Sequence, residues 1–518
     1  EADEHILSIT TLATLATQNK TGGFMCTSCA WGKPKHPHAF EFCENGAKAT
    51  LWELTSRTAT PDVFARHSVT ELKTFSDYDL EQLGRLTHPM RYDQASDHYV
   101  PCSWDEAFAE IGRELKATDP KKTVFYTSGR ASLETSYCWA LFARAYGHNN
   151  LPDSSNMCHE TTSVTLKQVI GSPVGTVVLD DFKHCDAIFF FGQNTGSNSP
   201  RFLHVLQAAV RRGCRIVTFN PVRERGLESM INPQEPTAMV TGSETALSCQ
   251  YHQVKPGGDI AVLLGLCKHV LAADDAAQAD NRQVIDRAFI AEHTVGFEDF
   301  EARLRALDWA EIEDVSGLTR AAIEAAGTVY VEAENTIGIY GMGLTQHVHG
   351  FENISTYTNL LLMKGNIGRE GAGISPVRGH SNVQGQRTVG IAEKPELVPL
   401  DRLAEMFAFS PPREKGMNTV EACEAILKGE VSAFVALGGN FLRAIPEQKA
   451  MEEAWPRQRL TVQIATKLNR GHLFNGDIAY LLPCLGRSEM DPLTGHPQVV
   501  SMEDSLSCVH GSVGKRTP

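Results

Sequence analysis

Cys158 and His159 stand side by side in NMCHETTSVTLKQ, residues 156–168, just ahead of a segment whose apolar positions Val164 and Leu166 predict a helix. A thiol at a helix N-terminus is favoured as thiolate, because unpaired backbone N–H groups and the helix dipole stabilise negative charge there. Such a residue can act as a nucleophile, a redox thiol or a ligand to a soft metal, and with no partner it packs as a small hydrophobe. A second sulfur-bearing group lies near the N-terminus, where Cys26, Cys29 and Cys43 form C-x2-C-x13-C with His36 and His38 inside the long gap. Thiolates at this spacing suit tetrahedral zinc, with His38 as fourth ligand, or an iron–sulfur cluster.

Three further segments carry polar side chains next to glycines. SPVRGHSNVQGQ, residues 375–386, sets Arg378 in a polar stretch with two glycines, where a guanidinium could grip a carboxylate or phosphate through paired hydrogen bonds. YGMGLTQHVHG follows the apolar strand NTIGIY and places two glycines before Gln346 and His347. In KPGGDIAVLLGL a turn leads into an apolar helix, with Asp259 predicted as its N-cap.

Positioning these groups requires a scaffold, and the intervening sequence reads as a layered one. SWDEAFAEIGRELKA opens with a capping box, Ser103 with Glu106, and carries Ala107, Phe108, Ile111 and Leu115 at helical spacing. Next come strand KTVFYTSG, helix SLETSYCWALFARAYG, strand DAIFFFG, loop QNTGSNSP, helix RFLHVLQAAVRRG and strand RIVTFNP. The unbroken apolar run AIFFF predicts burial on both faces, and Gly213 stops the helix before the next strand. The loop from Gln193 to Pro200 sits where a strand ends and a helix begins, a place where backbone amides can hold phosphate. The same order recurs in SAFVAL, GGNFLRAIP and QRLTVQIA. Two such loops suggest a paired or bulky nucleotide cofactor. Neither matches the GxGxxG or GxxxxGK[ST] fingerprint, which disfavours an ordinary NAD enzyme or ATPase.

Bulk properties narrow the class. A chain of 518 residues exceeds one core and predicts several lobes. A formal net charge of -14 with scattered basic residues excludes a nucleic-acid surface. The longest apolar runs, such as AIFFFG, are too short to cross a bilayer. Thirteen cysteines without regular spacing fit a reducing, cytoplasmic compartment better than a disulfide scaffold.

Taken in order, these segments resemble the molybdopterin oxidoreductase (dimethyl sulfoxide reductase) superfamily, and within it the formate-dehydrogenase-like alpha subunits. GMGLTQH matches that family's GMGxTQH, PGGDIA its PGxDxA, and PVRGHSNVQG its PVRGxxNVQG. The resemblance implies an α/β, multi-lobed architecture with two Rossmann-like nucleotide-binding lobes and a small iron–sulfur lobe. Residues 1–80 would form the cluster lobe, 81–153 with 378–500 the first α/β lobe, and 154–377 the second. Residues 501–518 would begin a C-terminal region that the 518-residue chain leaves incomplete.

The implied cofactors are bis-molybdopterin guanine dinucleotide with molybdenum or tungsten, and a 4Fe-4S cluster on Cys26, Cys29 and Cys43. Cys158 would ligate the metal, His159 would take the proton or act electrostatically, and Arg378 would orient an anionic substrate such as formate. Gly192, Gln193, Asn194, Asn220 and Asp259 would serve one dinucleotide, and Gly438, Gly439 and Asn440 the other. Gly343, Gln346, His347, Gly379, Asn382 and Gln384 belong to the matched cofactor motifs, and Lys48 resembles the lysine between cluster and pterin. Electrons would pass to a separate protein or subunit, since no ferredoxin-like cysteine runs follow.

The chain also departs from the family pattern. Lys33 stands where C-x2-C-x3-C would place a cysteine, which leaves the fourth cluster ligand to His36, His38 or an open iron site. His380 and Ser381 replace more amide-like residues, and Thr161 and Thr162 replace a Gly-Pro step. Two other expectations remain compatible with the pattern: the same cofactor acting on a different oxo-substrate, and a non-catalytic iron–sulfur scaffold.

Overall fold

Strands that are apolar on both faces are stable only between two layers of helix, and AIFFF is placed that way in the computed structural model, which describes residues 9–491 and 495–517. Ala187–Phe191 lies at the centre of a five-stranded sheet with every residue buried. Across that sheet the order is Ser248–His252, Arg215–Phe219, Ala187–Phe191, Thr336–Tyr340 and Gly373–Pro376, and all neighbours are parallel. Strand order reverses between Ala187–Phe191 and Thr336–Tyr340. Crevices at such switch points, outside the carboxyl ends of the strands, are where doubly wound sheets bind ligands.

The second sheet has six strands, four of them parallel: Thr123–Thr127, Ala433–Leu437, Leu460–Ala465 and Ile478–Pro483. An antiparallel pair, Met90–Asp93 and His98–Pro101, closes its far edge. The expected α/β class is borne out, and the whole five-stranded sheet is inserted between Thr127 and Ala433 of the six-stranded one.

The N-terminal segment is bound to this framework by packing. Trp31 is 1% exposed and stacks on Phe202 with ring centroids 3.7 Å apart. A hairpin of Val499–Glu503 and Val509–Val513 covers the cysteine loop, with Val513 N donating to Gly23 O at 2.9 Å and Ser505 N to Ala30 O at 2.8 Å. Among the described residues no helix is long and apolar enough to cross a membrane.

Local expectations hold with corrections. The Ser103–Glu106 capping box forms, but the helix Trp104–Ala117 buries Ala107, Ile111 and Leu115 while Phe108 is 58% exposed. Its apolar stripe is therefore narrower than the spacing suggested. In the helix Glu160–Ile170, Leu166 is buried and Val164 faces outward. Asp259 is the first helical residue of Asp259–Gln278, and Gly258 is the N-cap, because the turn needs a residue without a side chain against Val315 O. The loop after Ala187–Phe191 contains a helical turn, Thr195–Asn198, and GGNFLRAIP contains another, Phe441–Ala444.

At the switch point the two strand-end loops touch backbone to backbone. Gly343 N donates to Gly192 O at 3.0 Å, and a Cβ on Gly343 would fall 2.6 Å from Gly192 Cα. Gly343→Ala must therefore push the loops apart and should destabilise the fold by about 1–3 kcal/mol. The change would appear as a lower urea midpoint at unchanged slope. Gly112→Ala makes the contrast: its Cβ meets nothing within 4 Å on a helix interior, so stability should rise by about 0.5–1 kcal/mol.

Candidate functional site at the carboxyl ends of the two sheets

Cys158 closes a short helix, Ser154–Cys158, and His159, at φ -133 and ψ 24, breaks the axis before Glu160–Ile170 begins. Asp153 caps the first of these helices, with Oδ1 accepting from Asn156 N at 3.1 Å. The TQH segment fixes the junction from the other side. Thr345 Oγ1 donates to Cys158 O at 2.8 Å, and Gln346 Nε2 donates to Met157 O at 2.7 Å. Glu160 adds two ion pairs, to Arg387 at 2.5 Å and Lys394 at 3.0 Å, tying the Cys-His helix to the helix that follows the Arg378 loop. Burial, and then the Asp153 charge, raise the Cys158 thiol to about 11, against the pull of Arg378. The free side chain is thus a thiol, and bonding to a metal would deprotonate it.

Arg378 is 1% exposed, yet its guanidinium makes a single bond, Nη2 to Pro173 O at 3.2 Å, and Nε and Nη1 have no partner. No carboxylate among the described residues pairs with it. An unpaired buried charge costs several kcal/mol, a cost that an anion placed here would offset. Next to it, a Cβ on Gly379 would meet nothing within 4 Å, which leaves room for one. His159 is fully buried, and its Nδ1 lies 3.0 Å from Thr162 Oγ1, which also accepts from the Tyr340 hydroxyl at 3.1 Å. Nε2 has no partner. Burial, reinforced by Arg378, pushes the imidazole down to about 3 and keeps it neutral.

Further unpaired polar atoms mark both sheet ends. Thr127 Oγ1, Asn440 Oδ1 and Asn469 Oδ1 lie at the six-stranded sheet, Gln193 Nε2 at the five-stranded one, and Asp153 Oδ2 and Ser155 Oγ between them. Buried polar groups are normally paired, so this concentration fits a large polar ligand spanning both crevices. Gly438 and Gly439 adopt φ +68 and +80, and side chains there would press on Ser128 and Tyr126. The residues present therefore fit a nucleotide-bearing cofactor.

Several expected contact residues have their polar atoms engaged within the protein. Asn194 caps Thr195–Asn198, and Asn220 donates to Val222 O at 2.7 Å. Asn382 bridges Ala131 O and Glu503 N, while Gln384 donates to Glu503 and Ser507, so both hold the C-terminal hairpin. Asp259 lies within electrostatic reach of His347, and burial raises its carboxyl to about 6. Lys48 is exposed and pairs with Glu44 at 2.5 Å.

Cys26 and Cys29 are buried, and Cys43 caps the helix Glu44–Glu53. Gly46 lies between two of the thiols: its N–H donates to Cys43 Sγ at 3.4 Å, and a Cβ there would be 3.1 Å from Cys26 Sγ. Among the described residues no three His, Cys, Asp or Glu side chains are gathered at a single-ion position. His36 and His38 are exposed, and His38 Nδ1 accepts from Phe40 N at 3.1 Å, so neither is placed as a fourth ligand. The cysteine loop joins the Arg378 loop directly through a bridge of Cys29 with His380 and the bond from Ala30 N to Gly379 O at 3.2 Å.

Sequence reasoning passed over Asp153 and Arg487. Arg487 Nη1 donates to Cys26 O at 2.9 Å and Ser381 Oγ at 2.8 Å, locking the two loops together. The Asp-x-x-Asn capping pattern before Cys158 was readable, whereas nothing local marks Arg487.

The sequence profile of the family described as "Molybdopterin oxidoreductase" matches residues 85–472. "Protein YdeP" of Escherichia coli strain K12 is 48% identical over 502 residues, covering 96% of this chain and 66% of that protein. "Formate dehydrogenase H" of the same strain is 28% identical over 395 residues, 73% of this chain and 51% of that protein. Among solved structures, "Acetylene Hydratase from Pelobacter acetylenicus" superposes with TM-score 0.64 at 16% identity, over 95% of this chain and 64% of the other, a likeness of fold. The chain thus spans less than two thirds of the length of YdeP.

Asp153 makes the site's electrostatics testable. It is fully buried, and burial raises its carboxyl from 3.8 to about 7, with Arg387 opposing. The unfolded chain ionises this group near pH 4, so between roughly pH 4 and 7 the folded state binds more protons, and stability falls as pH rises. Asp153→Asn keeps the Asn156 bond but cannot ionise. It should be more stable than the parent above about pH 7, by up to about 4 kcal/mol, with the gap vanishing below about pH 4. Urea unfolding across that range checks this, and an equal effect at every pH would refute it.

Proposed function

The chain belongs to the molybdopterin oxidoreductase family, and on that premise we propose that it is a molybdenum or tungsten enzyme oxidising formate to carbon dioxide, or running the reverse reaction. The family implies a pterin-bound molybdenum or tungsten, and formate enters through the distant likeness to formate dehydrogenase H. One observation carries the reading: Arg378, a buried guanidinium with two free donors, acts electrostatically on both Cys158 and His159.

Oxidising formate yields carbon dioxide, one proton and two electrons. Nε and Nη1 of Arg378 are free to bond a carboxylate, and one of them together with the second N–H of Nη2 can hold it as a fork, fixing its orientation. Cys158, held by Thr345, would supply the protein bond to the metal. When bound, the pterin-held metal provides the two-electron acceptor that no side chain here can be. The unpartnered Nε2 of His159 accepts the proton, and an anion on Arg378 would offset one of the two causes that depress its basicity. Arg378 and His159 are buried away from water, and Cys158 is half-buried beside them. Electrons would leave through an iron–sulfur centre on Cys26, Cys29 and Cys43, whose loop abuts the Arg378 loop, and pass to a separate electron-transfer protein.

A second reading keeps the cofactor and changes the substrate. His380, two residues beyond Arg378 in the chain, is pushed down to about 4 by burial and has an unpartnered Nδ1, so the pocket could also serve another small oxo-anion.

Elemental analysis of the purified protein should find molybdenum or tungsten. Arg378→Lys should keep that metal while lowering kcat/KM for formate about 100-fold, because charge-assisted hydrogen bonds of this kind contribute on the order of 2–3 kcal/mol. Cys158→Ala should abolish turnover. Undiminished formate–dye activity in either variant would sink the assignment, and turnover of another oxo-substrate in its place would select the second reading.

A further inference from the structure

We infer that the N-terminal thiol pocket holds its iron–sulfur cluster by three cysteines only, and that the corner lacking a protein ligand faces the ammonium of Lys33. This rests on the iron–sulfur part of the proposed function and is independent of the substrate.

Lys33 follows Cys29 in C-x2-C-x3-K spacing, is 8% exposed, and its Nζ has no hydrogen-bond partner. Cys26, Cys29, Arg201 and Asp504 all lie within its electrostatic reach. The other charges there are engaged elsewhere. Asp504 Oδ2 pairs with His510 at 2.6 Å, and Arg201 holds Glu41 at 2.6 Å and the carbonyls of Trp31 and Gly32 at 2.9 Å. An ammonium has three donors and no lone pair. It therefore cannot ligate iron, but it can donate to the sulfides of an anionic cluster, which would supply the partner that the protein does not.

Among the described residues no other His or Cys side chain is placed to take the corner. His36 and His38 are exposed. Cys508, in the covering hairpin, is also exposed; its Sγ donates to Leu506 O at 3.7 Å, and the charges acting on it are those of Asp504, Glu503 and Lys33, with none of the three pocket thiols among them. Cys26 and Cys43 flank Gly46, and Cys29 is pinned by its bridge to His380. Three thiols are thus fixed by the backbone, and the fourth position of the loop is a cation.

An iron without a protein thiolate is the one a cluster loses on oxidation: ferricyanide takes one electron, ferrous iron departs, and a three-iron cluster remains on the three cysteines. The test uses the anaerobically purified chain with iron counting and EPR. Ferricyanide should strip the unanchored iron from the parent protein and produce the near-isotropic signal of a three-iron cluster, reversed by ferrous iron with a reductant. Lys33→Cys should retain all four irons under the same treatment. Lys33→Met should behave like the parent in iron loss but shift the cluster midpoint to more negative potential, since removing a nearby positive charge disfavours reduction. Cys508→Ser should change none of this. The inference is overturned if the parent holds its fourth iron as firmly as Lys33→Cys does, if Cys508→Ser alone weakens it, or if no iron binds to a protein that carries molybdenum or tungsten. Iron with no molybdenum or tungsten would defeat the proposed function and leave this inference standing.

Discussion

A guanidinium buried with two unanswered donors constrains everything around it. Left alone, Arg378 would cost the fold several kcal/mol, so the surrounding chain must hold it in place against that penalty. The backbone does so from several directions: Ser505 Oγ accepts from Arg378 N at 3.1 Å, Pro173 O accepts from the side chain, and the neighbouring Gly379 carbonyl is paired with the cysteine loop. None of these neutralises the charge. A negatively charged occupant would neutralise it, whichever anion that is.

The rest of the site is organised so that this charge acts on chemistry. Arg378 depresses His159 and favours the thiolate of Cys158, while Asp153 opposes it at the thiol. The charged groups outside the pocket are balanced. Arg387 carries Glu160 at 2.5 Å and Glu393 at 2.9 Å, and Glu393 is 1% exposed. This compensated network keeps the Cys-His helix and the Arg378 loop in fixed relation around the unpaired guanidinium.

Glycine makes the remaining contacts possible. The loops leaving the two strands at the switch point approach at Gly192 and Gly343 with no room for a β-carbon, and a side chain at Gly129 would fall 2.7 Å from His380 Cβ. The six-stranded sheet, the five-stranded sheet and the cysteine loop thus meet through backbone, at the same seam where buried polar atoms are left unpaired. Packing of the lobes alone requires glycine at these positions, so a glycine's type by itself does not mark a binding position.

Local chemistry in the sequence determined a good deal: the buried strands from their apolar runs, the Ser103–Glu106 cap, the α/β class, and the motifs whose order pointed to the family. These features depend on residues within a few positions of one another, and period and turn chemistry report them directly. Tertiary structure alone decided which polar residues are free. Asn194, Asn382 and Gln384 share a motif vocabulary with Arg378, yet the first is a helix cap and the other two tie down a hairpin more than a hundred positions away, while Arg378 is left open. Likewise Lys33 read as a missing cysteine, and only its burial beside two thiols with no partner showed a charge enclosed where a ligand was expected. Pairing and desolvation are properties of contacts between distant segments, and no spacing along the chain encodes whether a donor's partner has arrived.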